Sequence, residues 1–189
     1  NLGRLALWGD AKAEALFRDS LEFAIKVARH FKYVWPIQYN VKDFAVITPS
    51  RNEQGLGQTD VGGIYAYVML LAHELTGEER YLTEARKALA ALKEARFNLV
   101  YQTNLTALGL AACARLWKID KSPEAFDQGL VFLAGFFHNS QIWDSEIERA
   151  RHYTNFFGVT CLHDAPYLAA YECFEAFSAF DEYMSICGD

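Results

Sequence analysis

The chain has 189 residues, of which 52% are hydrophobic and 15% aromatic, and its formal net charge is −6 at a pI of about 5.4. A chain of this length buries roughly 70% of its unfolded surface, and such an apolar composition argues against disorder. The acidic balance argues against a nucleic-acid partner, because contacts with phosphates need a basic surface. The sequence has no run of 18 or more uncharged apolar residues, so no membrane span is predicted.

Four cysteines lie far apart in the sequence, without a C-x-x-C pair: Cys113, Cys161, Cys173 and Cys187. Unpaired, widely spaced cysteines are typical of a reducing compartment, which slightly favours the cytoplasm as the location of the protein. The chain begins at Asn1 with neither a start methionine nor a signal segment, so we expect it to be a piece of a longer protein.

Helical patterns dominate the chain from its beginning. Asp10 is the predicted N-cap of the first helix, and Ser122 followed by Pro123 predicts the start of a later one. The strand-like stretch 41–48 predicts a loop ribbon outside any main sheet, and a short helix is predicted over 143–153. The principal predicted helices span 10–31, 60–76, 79–95, 104–119, 123–137 and 164–186.

A unit of two helices joined by a short turn recurs after 44 positions. Thr59-Asp60 shifted by 44 falls on Thr103-Asn104, and a third unit is predicted to start at His163-Asp164. The first helix of the first two units is apolar nearly all round, which indicates burial on every side; the last predicted helix departs from this type, because Glu172, Glu175 and Glu182 make it amphipathic. The second helix of a unit is amphipathic, and its pattern places Glu84 and Lys87 outward. This alternation predicts two concentric layers of helices in an all-α fold.

The stretch "LLAHELTGEERYLTEARKALAAL" resembles the hairpin repeat of six-hairpin glycosidase-type (α/α) toroids, over about residues 59–137. That superfamily contains glycoside hydrolases, polysaccharide lyases and sugar epimerases. The resemblance implies a single toroid-like domain over 1–189 with about three and a half hairpins. Since a closed ring needs six, we expect that part of the molecule is missing, that the chain is an open arc, or that partner chains such as a second copy complete it.

The resemblance implies an active site at the end where the inner helices begin. The long connections 32–59 and 138–163 lead to that end, and helix N-termini favour carboxylates and anions. Aromatic rings that stack on sugars and side chains that exchange hydrogen bonds are the groups a carbohydrate cleft needs. The candidate substrate-binding residues are Trp35, Tyr101, Gln102, Asn104, Trp143 and His163.

The function that these observations predict is carbohydrate-active catalysis of the glycoside hydrolase kind. One carboxylic acid would protonate the leaving oxygen while a second carboxylate activates water or attacks the sugar. The predicted pair is Asp60 and Asp164, with Asp144 in reserve, whereas a lyase or epimerase would use His163 or Tyr101. No metal or cofactor is expected, because the histidines and acidic residues match no ligand spacing.

Each candidate has a structural alternative. Asp60, Asn104 and Asp164 are all favoured N-cap residues, and tryptophans such as Trp35 and Trp143 are more often packing anchors than platforms for sugars. The alternative function, from a different class, is a non-catalytic helical-repeat module for binding or assembly.

Overall fold

The computed structural model describes residues 1–50, 61–95, 102–144, 155–159 and 170–188, with only the backbone described for 141–144 and 155–159. This part of the chain contains seven α-helices and two separate two-stranded antiparallel sheets. The helices are α1 (Leu2–Leu7), α2 (Ala11–His30), α3 (Val61–Thr76), α4 (Glu79–Ala91), α5 (Thr103–Asp120), α6 (Pro123–His138) and α7 (Ala170–Cys187). The strands are β1 (Gln38–Tyr39), β2 (Val46–Thr48), β3 (Ser140–Asp144) and β4 (Asn155–Val159).

The all-α class is confirmed, and the boundaries of α2 to α6 agree with the prediction to within a few residues. The predicted caps Asp10 and Ser122 accept hydrogen bonds from the backbone N–H groups of Ala13 and Ala125 at 2.9 and 3.2 Å. α3 and α5 end 44 residues apart, and α4 and α6 begin 44 residues apart. The turn between the two helices of a hairpin therefore recurs after 44 residues, as the repeat in the sequence predicts.

Outside the principal helices the outcome is mixed. The short helix predicted within 143–153, with Asp144 or Ser145 as its cap, falls on residues 145–154, which lie outside the described part, while residues 143 and 144 belong to β3 and pair with β4. The amino-terminal helix α1 was not predicted, because its six residues are too few to show a helical period. The ribbon expected near 41–48 is present as the short pair β1–β2.

The helices differ in burial as their sequence patterns predict. Every residue of α5 from Ala107 to Ala114 is buried, and α3 is buried over most of 64–72, whereas α4 alternates buried and exposed positions. α3 packs against α5 and α5 against α7, while α4 covers α3 and α6 covers α5. α3 and α5, the two most buried helices, thus lie side by side, with α4 packed against α3 and both α6 and the largely exposed α7 packed against α5.

The paired glycines at the start of α3 are required by close packing. A Cβ atom on Gly63 would lie 2.8 Å from the Cα of Gly109 in α5, and one on Gly62 would lie 2.9 Å from Leu92. A Cβ on Gly109 would in turn lie 2.4 Å from the ring of Phe132 in α6. Three helices therefore approach so closely here that only glycine fits, which offsets the cost of about 1 kcal/mol that each glycine carries inside a helix.

Glu84 lies inside the protein, and its predicted outward position is wrong. Its side chain is fully buried and its carboxylate accepts two hydrogen bonds from Arg29, at 3.0 and 2.8 Å. The hydroxyls of Tyr33 and Tyr65 donate to the second oxygen at 2.9 and 3.0 Å. Sequence periodicity could not find this network, because its donors come from α2, the following loop and α3.

Candidate functional site

A cavity of about 270 Å³ lies between α1, α2, α3, α5 and α7. It touches α3 from Ile64 to Leu71 and the first halves of α5 and α7, at Leu108 and Glu175. Two hydrogen bonds join α5 to α7: Asn104–Glu175 near the start of both helices and Arg115–Glu182 further along both. The two helices therefore run in the same direction. The lining residues are Asn1, Leu2, Gly3, Arg4, Phe17, Ser20, Ile64, Tyr67, Val68, Leu71, Leu108 and Glu175.

A buried amide and a carboxylate meet beside this cavity. Asn104, the second residue of α5, is 5% exposed and donates from Nδ2 to Oε2 of Glu175 at 2.7 Å. Its Oδ1 is buried and accepts no hydrogen bond among the described residues, although an unpaired buried acceptor costs about 1–3 kcal/mol. Such an unpaired group is uncommon in a folded protein and needs an explanation.

A second polar cluster closes the cavity on the side of α1. Arg4 donates to the hydroxyl of Tyr67 at 2.9 Å, to Ser178 at 2.6 Å and to Glu182 at 3.2 Å. Tyr67 donates to Glu182 at 2.6 Å, and Arg115 donates to the other oxygen of Glu182. Burial, followed by the hydrogen bond to Glu182, raises the pKa of Tyr67 to about 12, so the phenol stays protonated at neutral pH.

Three predicted site residues have described side chains, and they lie in different settings. Trp35 is buried with its ring centroid 5.1 Å from that of Tyr65, which is the arrangement of a packing anchor. Gln102 is half-buried and precedes α5 as its N-cap residue, without a capping bond from its side chain. Asn104 lies inside the helix and bonds to Glu175, so it does not serve as the cap.

The other predictions fall where the structure does not test them. Asp60, Tyr101, His163 and Asp164 lie outside the described residues, and so does the capping bond expected from Asp60. The backbones of Trp143 and Asp144 belong to β3, but their side chains lie outside the described set. The roles assigned to all six remain predictions.

Sequence reasoning missed two polar residues that line the cavity, Arg4 and Glu175. Glu175 and Glu182 are seven positions apart on α7, which also carries Glu172 and Asp181, and that spacing places both on one helix face. This recurrence was the available signal for a polar interior. Arg4 carried no comparable signal, because it belongs to a helix of only six residues.

Neither a metal site nor a membrane span is present among the described residues. No group of three or more His, Cys, Asp or Glu side chains there is arranged to hold a metal ion. None of the helices described is both long enough and apolar enough to cross a membrane.

Comparison with known proteins identifies no relative of the chain. No protein-family model matches the chain, and neither a curated protein nor a solved structure shows significant similarity to it.

Proposed function

We propose that the chain is part of a carbohydrate-active enzyme of the glycoside hydrolase kind, built as an arc of an (α/α) toroid. The buried stretch 107–114 of α5 and the half-exposed α4 support the two-layer arrangement. The cavity beside α3, α5 and α7, whose mostly apolar lining includes Arg4, Tyr67 and Glu175, is the place where such an enzyme would hold its substrate in this proposal.

The observation that carries the proposal is the pairing of Glu175 with Asn104. A carboxylate that lines a cavity and accepts a bond from a buried amide is held in one orientation, as acid–base chemistry requires. The unpaired Oδ1 of Asn104 indicates a site that lacks one hydrogen-bond donor. A sugar hydroxyl is a donor of the kind that would complete it.

In this proposal Glu175 is one of the two carboxylates that glycoside hydrolysis needs. One of them, protonated, gives its proton to the leaving oxygen, and the other activates water or attacks the anomeric carbon. The predicted partner is Asp60, the residue before α3, or Asp164, which precedes α7. A separation of about 5–5.5 Å between the two carboxyl groups would give retention of configuration, and about 6.5–9.5 Å would give inversion.

The arc also accounts for the surface of α7. This helix exposes several large apolar side chains, namely Tyr171, Phe174, Phe177 and Met184. Large apolar patches on a surface are typical of sites where further protein packs. We propose that additional helices, from a longer chain or from a second copy, complete the layer beside α7.

The test is hydrolysis of neutral polysaccharides and oligosaccharides, followed as release of reducing ends. We expect turnover by the wild-type protein and a loss of about a hundredfold or more in kcat for Glu175→Gln, because acid–base groups contribute about 10²–10⁴-fold. Asp181→Asn, which removes one charge from an exposed position of the same helix, is the matched control. Wild-type turnover by Glu175→Gln would refute the role of Glu175.

A non-catalytic binding module is the second candidate, and the cavity lining favours it in one respect. Most lining residues are apolar, and the polar groups of Arg4 and Tyr67 already bond to Glu182. The test measures sugar binding and hydrolysis together, with polymers of the bound sugar among the substrates. Saturable binding without release of reducing ends would favour the module over the enzyme.

A further inference from the structure

We infer that the cavity beside Glu175 selects non-anionic sugars that donate hydrogen bonds, namely neutral or amino sugars, and rejects uronic acids. This inference deepens the proposed function and rests on it. It follows from a count of the hydrogen-bond donors, acceptors and charges that line the cavity in the described part of the chain.

Most donors around the cavity are already engaged within the protein. Each guanidinium nitrogen of Arg4 donates to a neighbour, which uses three of its five N–H groups, and the hydroxyl of Tyr67 donates to Glu182. Ser20 donates to the backbone carbonyl of Phe17 at 2.7 Å, and the amide of Asn1 donates to Tyr171 at 2.9 Å. A ligand that mainly accepts hydrogen bonds would have to displace these contacts.

The acceptors around the cavity are not used to the same extent. Glu175 accepts one described hydrogen bond, from Asn104, whereas an ionised carboxylate has about four lone-pair sites. The Oδ1 of Asn104 belongs to the same side-chain amide as the Nδ2 that contacts Glu175, and it accepts no hydrogen bond from the described residues. The surplus of acceptors favours a ligand with several O–H or N–H donors, such as the vicinal hydroxyls of a sugar.

The balance of charge points the same way. Arg4, the cation of the described lining, is paired with Glu182 at 3.2 Å. Glu175 has no cationic partner among the described ion pairs, so its negative charge faces the cavity without compensation. A ligand carboxylate at about 6 Å from Glu175 would lose about a hundredfold in affinity at the effective dielectric of a partly buried site.

The test compares sugars that differ at one carbon. Methyl glucoside, galactoside and mannoside are titrated against the wild-type protein alongside the three methyl uronides, in which a carboxylate replaces the terminal CH₂OH, with binding followed by calorimetry and NMR. Methyl glucosaminide is the probe for amino sugars. We expect a neutral glycoside to bind about a hundredfold more tightly than its uronide.

The variant Glu175→Gln separates a selective role from a structural one. Its amide keeps the shape of the side chain and an oxygen for Asn104, so we expect the preference over the uronide to fall below about tenfold while the fold persists by circular dichroism. Asp181→Asn should leave the preference unchanged.

Two outcomes would overturn the inference, and they differ in what they mean for the proposed function. Equal or tighter binding of the uronide, with turnover of a polysaccharide intact, would refute the selectivity alone. Failure of every sugar to bind, together with no release of reducing ends, would refute both.

Discussion

Glu84 provides the sharpest test of the packing, through the substitution Glu84→Gln. The glutamine can offer its oxygen to Tyr33 and Tyr65, but its NH₂ group then faces the guanidinium of Arg29 and both charge-assisted bonds of the pair are lost. Because the Arg29 side chain is 60% exposed, water re-solvates it after the change. We therefore expect a loss of about 2–3 kcal/mol in the free energy of unfolding, less than for a pair buried on both sides.

The same pair makes the stability depend on pH in a defined direction. Burial by itself raises the pKa of Glu84, but the bonds from Arg29, Tyr33 and Tyr65 outweigh it and hold the pKa below the ordinary value of 4.5. A carboxyl group with a lowered folded-state pKa stabilises the protein above its unfolded pKa, and this stabilisation is lost as the pH falls through the folded pKa. The difference between wild type and Glu84→Gln should thus be full at pH 7 and shrink below about pH 4.5.

Urea denaturation followed by circular dichroism at several pH values measures both effects. Glu94→Gln on the same segment is the control, since Glu94 is exposed and should change stability by no more than about 0.5 kcal/mol. A loss below about 1 kcal/mol at pH 7, or a loss that does not vary with pH, would refute the reasoning about the buried network.

Two further predictions concern packing. Gly63→Ala should lower the free energy of unfolding by about 1–3 kcal/mol, because its Cβ would overlap the backbone of Gly109; Gly135→Ala, which meets nothing within 4 Å, should instead stabilise α6 by up to about 1 kcal/mol. Equal effects of the two changes in urea denaturation would contradict the close approach. Cys113 should resist thiol reagents until the protein unfolds, because it is fully buried and burial raises its pKa. The half-buried Cys187 should react earlier. Labelling mapped by mass spectrometry would show the order of reaction, and prompt labelling of Cys113 would contradict the prediction.

The helices were predictable because their signals are local. Asp10 and Ser122 cap their helices through side chains three residues from the bonded N–H, and the all-round apolar pattern of α5 required burial. Local signals can also mislead: the sequence Thr76-Gly77-Glu78-Glu79 has the pattern of a capping box at the start of α4, but the Thr76 hydroxyl donates to the carbonyl of Ala72 at 2.7 Å at the end of α3. Propensity alone does not decide whether such a residue ends one helix or starts the next.

The candidate site was less predictable because its parts come from distant positions. Glu175 acquires its meaning from Asn104, 71 residues earlier, and Arg4 from Glu182, 178 residues later. The choice of Asn104 as a site residue rested on its place at the start of an apolar helix, and the structure places it beside the cavity. Asp60 and Asp164, chosen on the same reasoning, await a test.

The contacts of α1 have a consequence for how the protein is made. Asn1 bonds to Tyr171 and Arg4 to Glu182, so α1 meets these partners in α7 only after about 170 more residues are synthesised. At roughly 5–20 residues per second that interval lasts about ten to thirty seconds. The α3–α4 and α5–α6 hairpins can pack during this time, since their contacts are local. We therefore expect the cavity to be the last part of the described structure to assemble, with Arg4 lacking Ser178 and Glu182 as partners until α7 emerges.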